Sequence, residues 1–119
     1  MRLWSNLICG LAGLYGATGV ALAAVSAHRA GGETLMTAAL FLLVHAAPML
    51  AVALAPPRRA LLTGASILAL GAALFSGDLA LRMLADLKPW PLAAPTGGVL
   101  LILGWLWLAA SGLTRKSPN

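Results

Sequence analysis

Charge is what this sequence has least of. Only 9% of its 119 residues are Asp, Glu, Lys or Arg, against about 25% in an ordinary soluble domain. A chain so poor in charge, and 61% apolar, could not cover a surface that faces water, which excludes a soluble enzyme or binding domain. Acids are scarcest of all, limited to Glu33, Asp78 and Asp86, so there is no cluster of carboxylates for catalysis or for holding a metal. Cysteine occurs once, as Cys9, and a single thiol can form neither an intrachain disulfide nor a dithiol redox pair. Also lacking are a phosphate-cradling glycine loop ending in Lys, a His-Glu-x-x-His zinc motif and a nucleophile elbow. The sequence therefore offers no catalytic residue, no metal set and no cofactor site, and the expectation is a protein that is not an enzyme.

What is present is long apolar runs, with a mean hydropathy of +0.91. Four carry almost no charge: Leu3–Ala27, Thr34–Ala55, Ala60–Ala85 and Thr96–Thr114. Each is close to or above the roughly 20 residues a helix needs to cross a hydrocarbon core. Barrel strands would be half as long and would alternate in polarity, and these runs do not alternate. The fold class expected is all-α and integral to a membrane, one domain of four antiparallel transmembrane helices in an up-down-up-down bundle. "VSA" (Val25–Ala27) resembles a signal cleavage site, but a signal core spans only about 7–15 apolar residues. The first run is 25 long and is read as a retained helix.

The net charge of +5 reads as orientation in a membrane protein and not as nucleic-acid binding. Arg2, Arg58, Arg59, Arg115 and Lys116 fall at one end of the expected bundle, and Arg29 and Lys88 at the other, with Arg82 at its margin. That bias favours both termini and the middle loop in the cytoplasm or its equivalent. Its direct partner is the lipid bilayer.

Small residues mark candidate packing faces, because in lipid helices associate through close backbone approach at Gly, Ala and Ser. The first run has Gly10, Gly13, Gly16 and Gly19; the third has Gly64 and Gly71; the fourth has Gly97, Gly104 and Ser111. Seven residues beyond Gly71 comes Asp78, so the acid lies on the small-residue face and points into the bundle. Arg82 follows one turn later, the favourable order for an ion pair. An intramembrane charge is a candidate site by default, and the alternative is a structural pair on a packing surface. His28 ends the first run and His45 lies midway along the second. They differ in depth by about 17 Å, too far for one metal or haem without staggered helices. Pro48 frees the carbonyl of Val44, which makes a polar spot beside His45: a proton relay or a satisfied core group. Trp105 and Trp107 lie too deep for an interfacial belt and read as packing or lipid contacts.

Four stretches, "GLYGATGVALAAVSAHRAGG" (Gly13–Gly32), "TAALFLLVHAAPML" (Thr37–Leu50), "ALFSGDLALRML" (Ala73–Leu84) and "APTGGVLLILGWLWLAASGL" (Ala94–Leu113), resemble the YgdD/YwdK family. These are small four-helix inner-membrane proteins of bacteria, with a mitochondrial relative, and no established activity. The motif positions are His28, His45, Ser76, Gly77, Pro95, Gly97, Gly98, Gly104 and Trp105. The resemblance implies the four-span fold and adds nothing on activity. Where this chain has Asp78 and Arg82, the family usually has a small and an apolar residue. The charged pair is thus a feature of this chain, which shifts its reading towards a local use such as a partner contact. The function expected is a non-enzymatic membrane protein that acts by packing, as an accessory or assembly subunit of a larger complex or as a homo-oligomer. The alternative is a carrier or channel for a proton or small solute, using His28, His45 and the Asp78–Arg82 pair.

Overall fold

In lipid every backbone polar group must be satisfied within the protein, so a long apolar run has to become a helix. The computed structural model, which describes residues 1–116, contains α1 (Arg2–Ala27), α2 (Glu33–Leu54), α3 (Arg59–Ala85) and α4 (Ala93–Leu113), and no strand among the described residues. All four are long and apolar enough to cross a membrane. The chain is a multi-pass membrane protein with four candidate spans.

The breaks between helices follow local chemistry. After α1, Gly31 takes a φ of +72°, and Gly32 lies against the Ser26 backbone so closely that a Cβ would collide with its carbonyl. Ala55 is extended, with φ −74° and ψ 161°, because the residue before a proline is pushed out of the helical region. That stops α2 ahead of Pro56 and Pro57. α3 ends on Asp86 in the left-handed region, φ 53°, and Leu87 N–H closes the turn on the Leu81 carbonyl at 3.1 Å.

Seven of the eight helix boundaries fall within one residue of the apolar runs; the start of α4 does not. The sequence reading began it at Thr96, after Pro95, yet the helix begins at Ala93. Pro95 is the third helical residue, where the N–H has no partner within the helix in any case. A proline costs nothing there.

α3 is the hub. It packs on α2, on α4 and more lightly on α1, whereas α4 approaches no other helix backbone. The molecule is thus two hairpins, α1–α2 and α3–α4, joined along the α2–α3 face. Close approaches fix the register within each. A Cβ on Gly97 would meet Phe75 N at 2.5 Å and Gly71 O at 2.7 Å, one on Gly104 would meet Leu68, and one on Gly64 would meet Leu108. These pairs run in opposite directions along α3 and α4. Gly19 seats Leu43 and the Ala39 carbonyl of α2 in the same way. The rest of the α1 stripe behaves otherwise: Gly10, Gly13 and Gly16 have nothing within 4 Å of a Cβ. The expectation that they pack inside the bundle is corrected; they turn away from α2 and α3.

Candidate functional site

His45 is buried on α2 among aromatic rings. Its Nδ1 lies 2.6 Å from the Phe41 carbonyl, and its Nε2 lies 3.1 Å from Nε1 of Trp105 on α4. An indole nitrogen can only donate. Trp105 therefore gives its hydrogen to Nε2, and Nδ1 carries the imidazole proton and donates to Phe41. Both ring nitrogens are engaged in a neutral ring, so metal or haem ligation through Nε2 would have to displace the indole. The sequence reading looked to the Val44 carbonyl freed by Pro48; the partner is instead the Phe41 carbonyl. A residue's carbonyl one turn back sits under its own ring, whereas the carbonyl of the preceding residue lies off to the side.

Around this pair three helices meet. Phe41 packs on Phe75 with ring centroids 4.3 Å apart and the planes tilted by 35°, and Ser76 Oγ donates to the Ala38 carbonyl at 2.8 Å, tying α3 to α2. Gly97 brings the α4 backbone onto Phe75, and a Cβ on Gly98 would lie 4.0 Å from the same ring. The motif positions Ser76, Gly97, Gly98, Gly104 and Trp105, scattered in sequence, are gathered with His45 along the α2–α3–α4 junction. Gly77 is apart, with open space at its Cβ, and Pro95 is exposed in the first turn of α4.

The remaining candidates are elsewhere. Asp78 is buried, its side chain 2% exposed, and its Oδ1 accepts from Arg82 Nε at 3.0 Å; the arginine side chain is 33% exposed. Gly71, seven residues earlier, faces Gly97 and Leu101, so Asp78 lies on the α4 side of α3, near the level where α4 begins. From there to Trp105 is about a dozen residues of α4, roughly 18 Å. Leu101 and Phe75 fill the interval, with no polar chain bridging it. His28 is exposed beyond the end of α1. The structure therefore brings none of His28, His45 and the Asp78–Arg82 pair together, and among the described residues no group of three His, Cys, Asp or Glu could hold a metal ion.

Several joints were not singled out from sequence. Trp107 Nε1 donates to the Ala60 carbonyl at 2.8 Å, Trp4 Nε1 to Ser66 Oγ at 2.9 Å, and Tyr15 Oη to the Ala69 carbonyl at 2.6 Å. Trp105 and Trp107 are 44% and 46% exposed, which agrees with a lipid-contact reading of their rings but leaves out their nitrogens. The available signal was elementary: in hydrocarbon an indole or phenol must find an acceptor.

The model of a family described as "Protein of unknown function (DUF423)" matches residues 13–98. The chain belongs to the DUF423 family. The matched residues carry α1 from Gly13 onward, all of α2 and α3 and the first turns of α4, so His45, Ser76, Gly97 and Gly98 lie inside the DUF423 match and Gly104 and Trp105 lie beyond it. The motif resemblance was likewise to a family without known function. No curated protein and no solved structure matches the chain.

Proposed function

We propose that this DUF423 protein is a non-enzymatic membrane protein that works by packing, as an accessory or assembly subunit of a larger complex or as an oligomer of itself. In this reading it resides in the inner membrane with both termini cytoplasmic. The observation that carries the proposal is the outer face of α1. Gly10 and Gly13 are open and exposed, and Ala17, Ala21 and Ala24 continue that exposed face at three- and four-residue steps. Lipid gains nothing from such a surface, but a partner helix can approach it closely. Two buried polar side chains support the same reading, because His45 and Ser76 tie helices to each other and present no open polar group. The orientation rests on charge. The Trp4–Ser66 bond and an Arg58 contact to the Ser111 carbonyl gather the starts of α1 and α3 with the end of α4, and five cations lie there.

The test is recovery of the tagged full chain from its own membrane in mild detergent. A stoichiometric larger complex or a defined oligomer is expected; a lone monomer overturns the proposal. Burial of the Asp78 carboxylate within a span favours transport as the second reading. Proton or solute flux in proteoliposomes that is unchanged in both Asp78→Asn and His45→Ala removes it.

A further inference from the structure

α1 and α3 touch lightly, and between them runs a groove. One chamber of about 290 Å³ is walled by Ile8, Leu11 and Leu70, and a second of about 300 Å³ by Leu14, Leu22 and Ala80. Tyr15 and Ala73 line both chambers. Along α3 the floor extends from Ser66 to Ala80, roughly 21 Å, longer than the roughly 15 Å depth of one hydrocarbon leaflet.

The walls offer almost nothing to a polar solute. Tyr15 donates to Ala69, Ser76 donates to Ala38, and Ser66 accepts from Trp4 while donating to the Leu62 carbonyl at 2.8 Å. Thr18 adds one hydroxyl to the second chamber, and the rest is hydrocarbon surface inside a bilayer. At the end where α1 finishes, Arg29 reaches across the groove and donates from Nη2 to the Met83 carbonyl at 3.3 Å. Met83 is one turn beyond Ala80, so the guanidinium stands over the mouth of the upper chamber. Arg29 is exposed and, among the described residues, takes part in no ion pair. A guanidinium has five N–H donors, which leaves four free. The molecule is 57 Å long, well beyond a hydrocarbon core of about 30 Å, which places the loop carrying Arg29 among the headgroups.

We infer that the α1–α3 groove holds one acyl chain of an anionic phospholipid whose phosphate pairs with Arg29. An acyl chain gains little from exchanging lipid neighbours for Leu and Ala, because the two are equally apolar. The groove sets where the lipid sits, and the preference for an anionic headgroup comes from the cation. Glu33, which shares with Arg29 the lining of a surface pocket on the α2 side, turns that side away from anions.

The test uses the full chain reconstituted in vesicles of equal phosphatidylglycerol and phosphatidylcholine, extracted in mild detergent, with retained lipid identified by native mass spectrometry. One phospholipid per chain is expected, with phosphatidylglycerol enriched about fivefold. Arg29→Gln keeps the lipid and loses the enrichment. Ala73→Phe fills both chambers and loses the lipid. Lys88→Gln, which removes a cation at the same end but away from the groove, keeps both. Each variant is compared at wild-type helicity; should Ala73→Phe not reach it, Ala73→Leu takes its place. Equal retention of the two headgroups by the wild type, loss of enrichment in Lys88→Gln as well, or lipid kept when the groove is filled would each overturn the inference. So would a groove occupied by free fatty acid or a second copy of the chain. The outcome is independent of the packing function, which concerns the opposite face of α1.

Discussion

Trp4, Tyr15, Trp105 and Trp107 each carry one polar atom on a ring that otherwise suits hydrocarbon, and each places that atom on a residue of another helix. A hydrogen bond in such a setting is worth less than the cost of an unmade one suggests, because partners are also found before the helices assemble. A double-mutant cycle on His45→Phe and Trp105→Phe, read from reversible unfolding in mixed micelles, should give a coupling of about 0.6 kcal/mol and no more than about 1.7. Zero coupling would mean that the bond contributes nothing. The Asp78–Arg82 pair behaves differently, since its members are unequally buried. Removing the arginine strands a buried carboxylate, so Arg82→Leu should destabilise more than Asp78→Asn, which leaves a cation already one-third exposed. The double variant Asp78→Leu/Arg82→Leu should recover most of the loss, because apolar replacements of a buried pair are often neutral. Unfolding midpoints of the three variants check the order.

Among the helices, the glycines divide into two kinds. Gly97 lies against the backbone of α3, at Phe75 N and Gly71 O, while Gly64 faces the flexible end of Leu108. Backbone cannot give way and a leucine tip can, so Gly97→Ala should lower the unfolding midpoint further than Gly64→Ala. Gly13→Ala should be neutral to stabilising by up to about 1 kcal/mol, since nothing lies near its Cβ. Most of this architecture was legible in the sequence. Run length specified four spans, and the spacing Gly64–Gly71 and Gly97–Gly104 marked the faces where α3 and α4 meet. The stripe of α1 misled because the same small residues serve an inner and an outer face, and spacing alone does not say which. Of the candidate site, the burial of Asp78 and its bond to Arg82 could be read by extending the α3 stripe. The partnership of His45 with Trp105 could not, because it depends on the rotation of α4 about its axis, which no local pattern encodes.

Taken whole, the molecule has one hub helix and two hairpins, with Trp, Tyr, His45 and Ser76 bonds tying helices together, and it leaves a small-residue face of α1 open. That is the central claim, and it separates folding from association. Gly13→Leu should leave the fold intact, because the side chain enters open space, and should abolish association. The most direct measurement is native mass spectrometry of the wild type and Gly13→Leu, each extracted from its own membrane. The wild type is expected in a species heavier than the 12.1 kDa protomer, and the variant at the protomer mass with unchanged helicity by circular dichroism. A wild type found only at the protomer mass, or a variant that stays in the same larger species, would contradict the account.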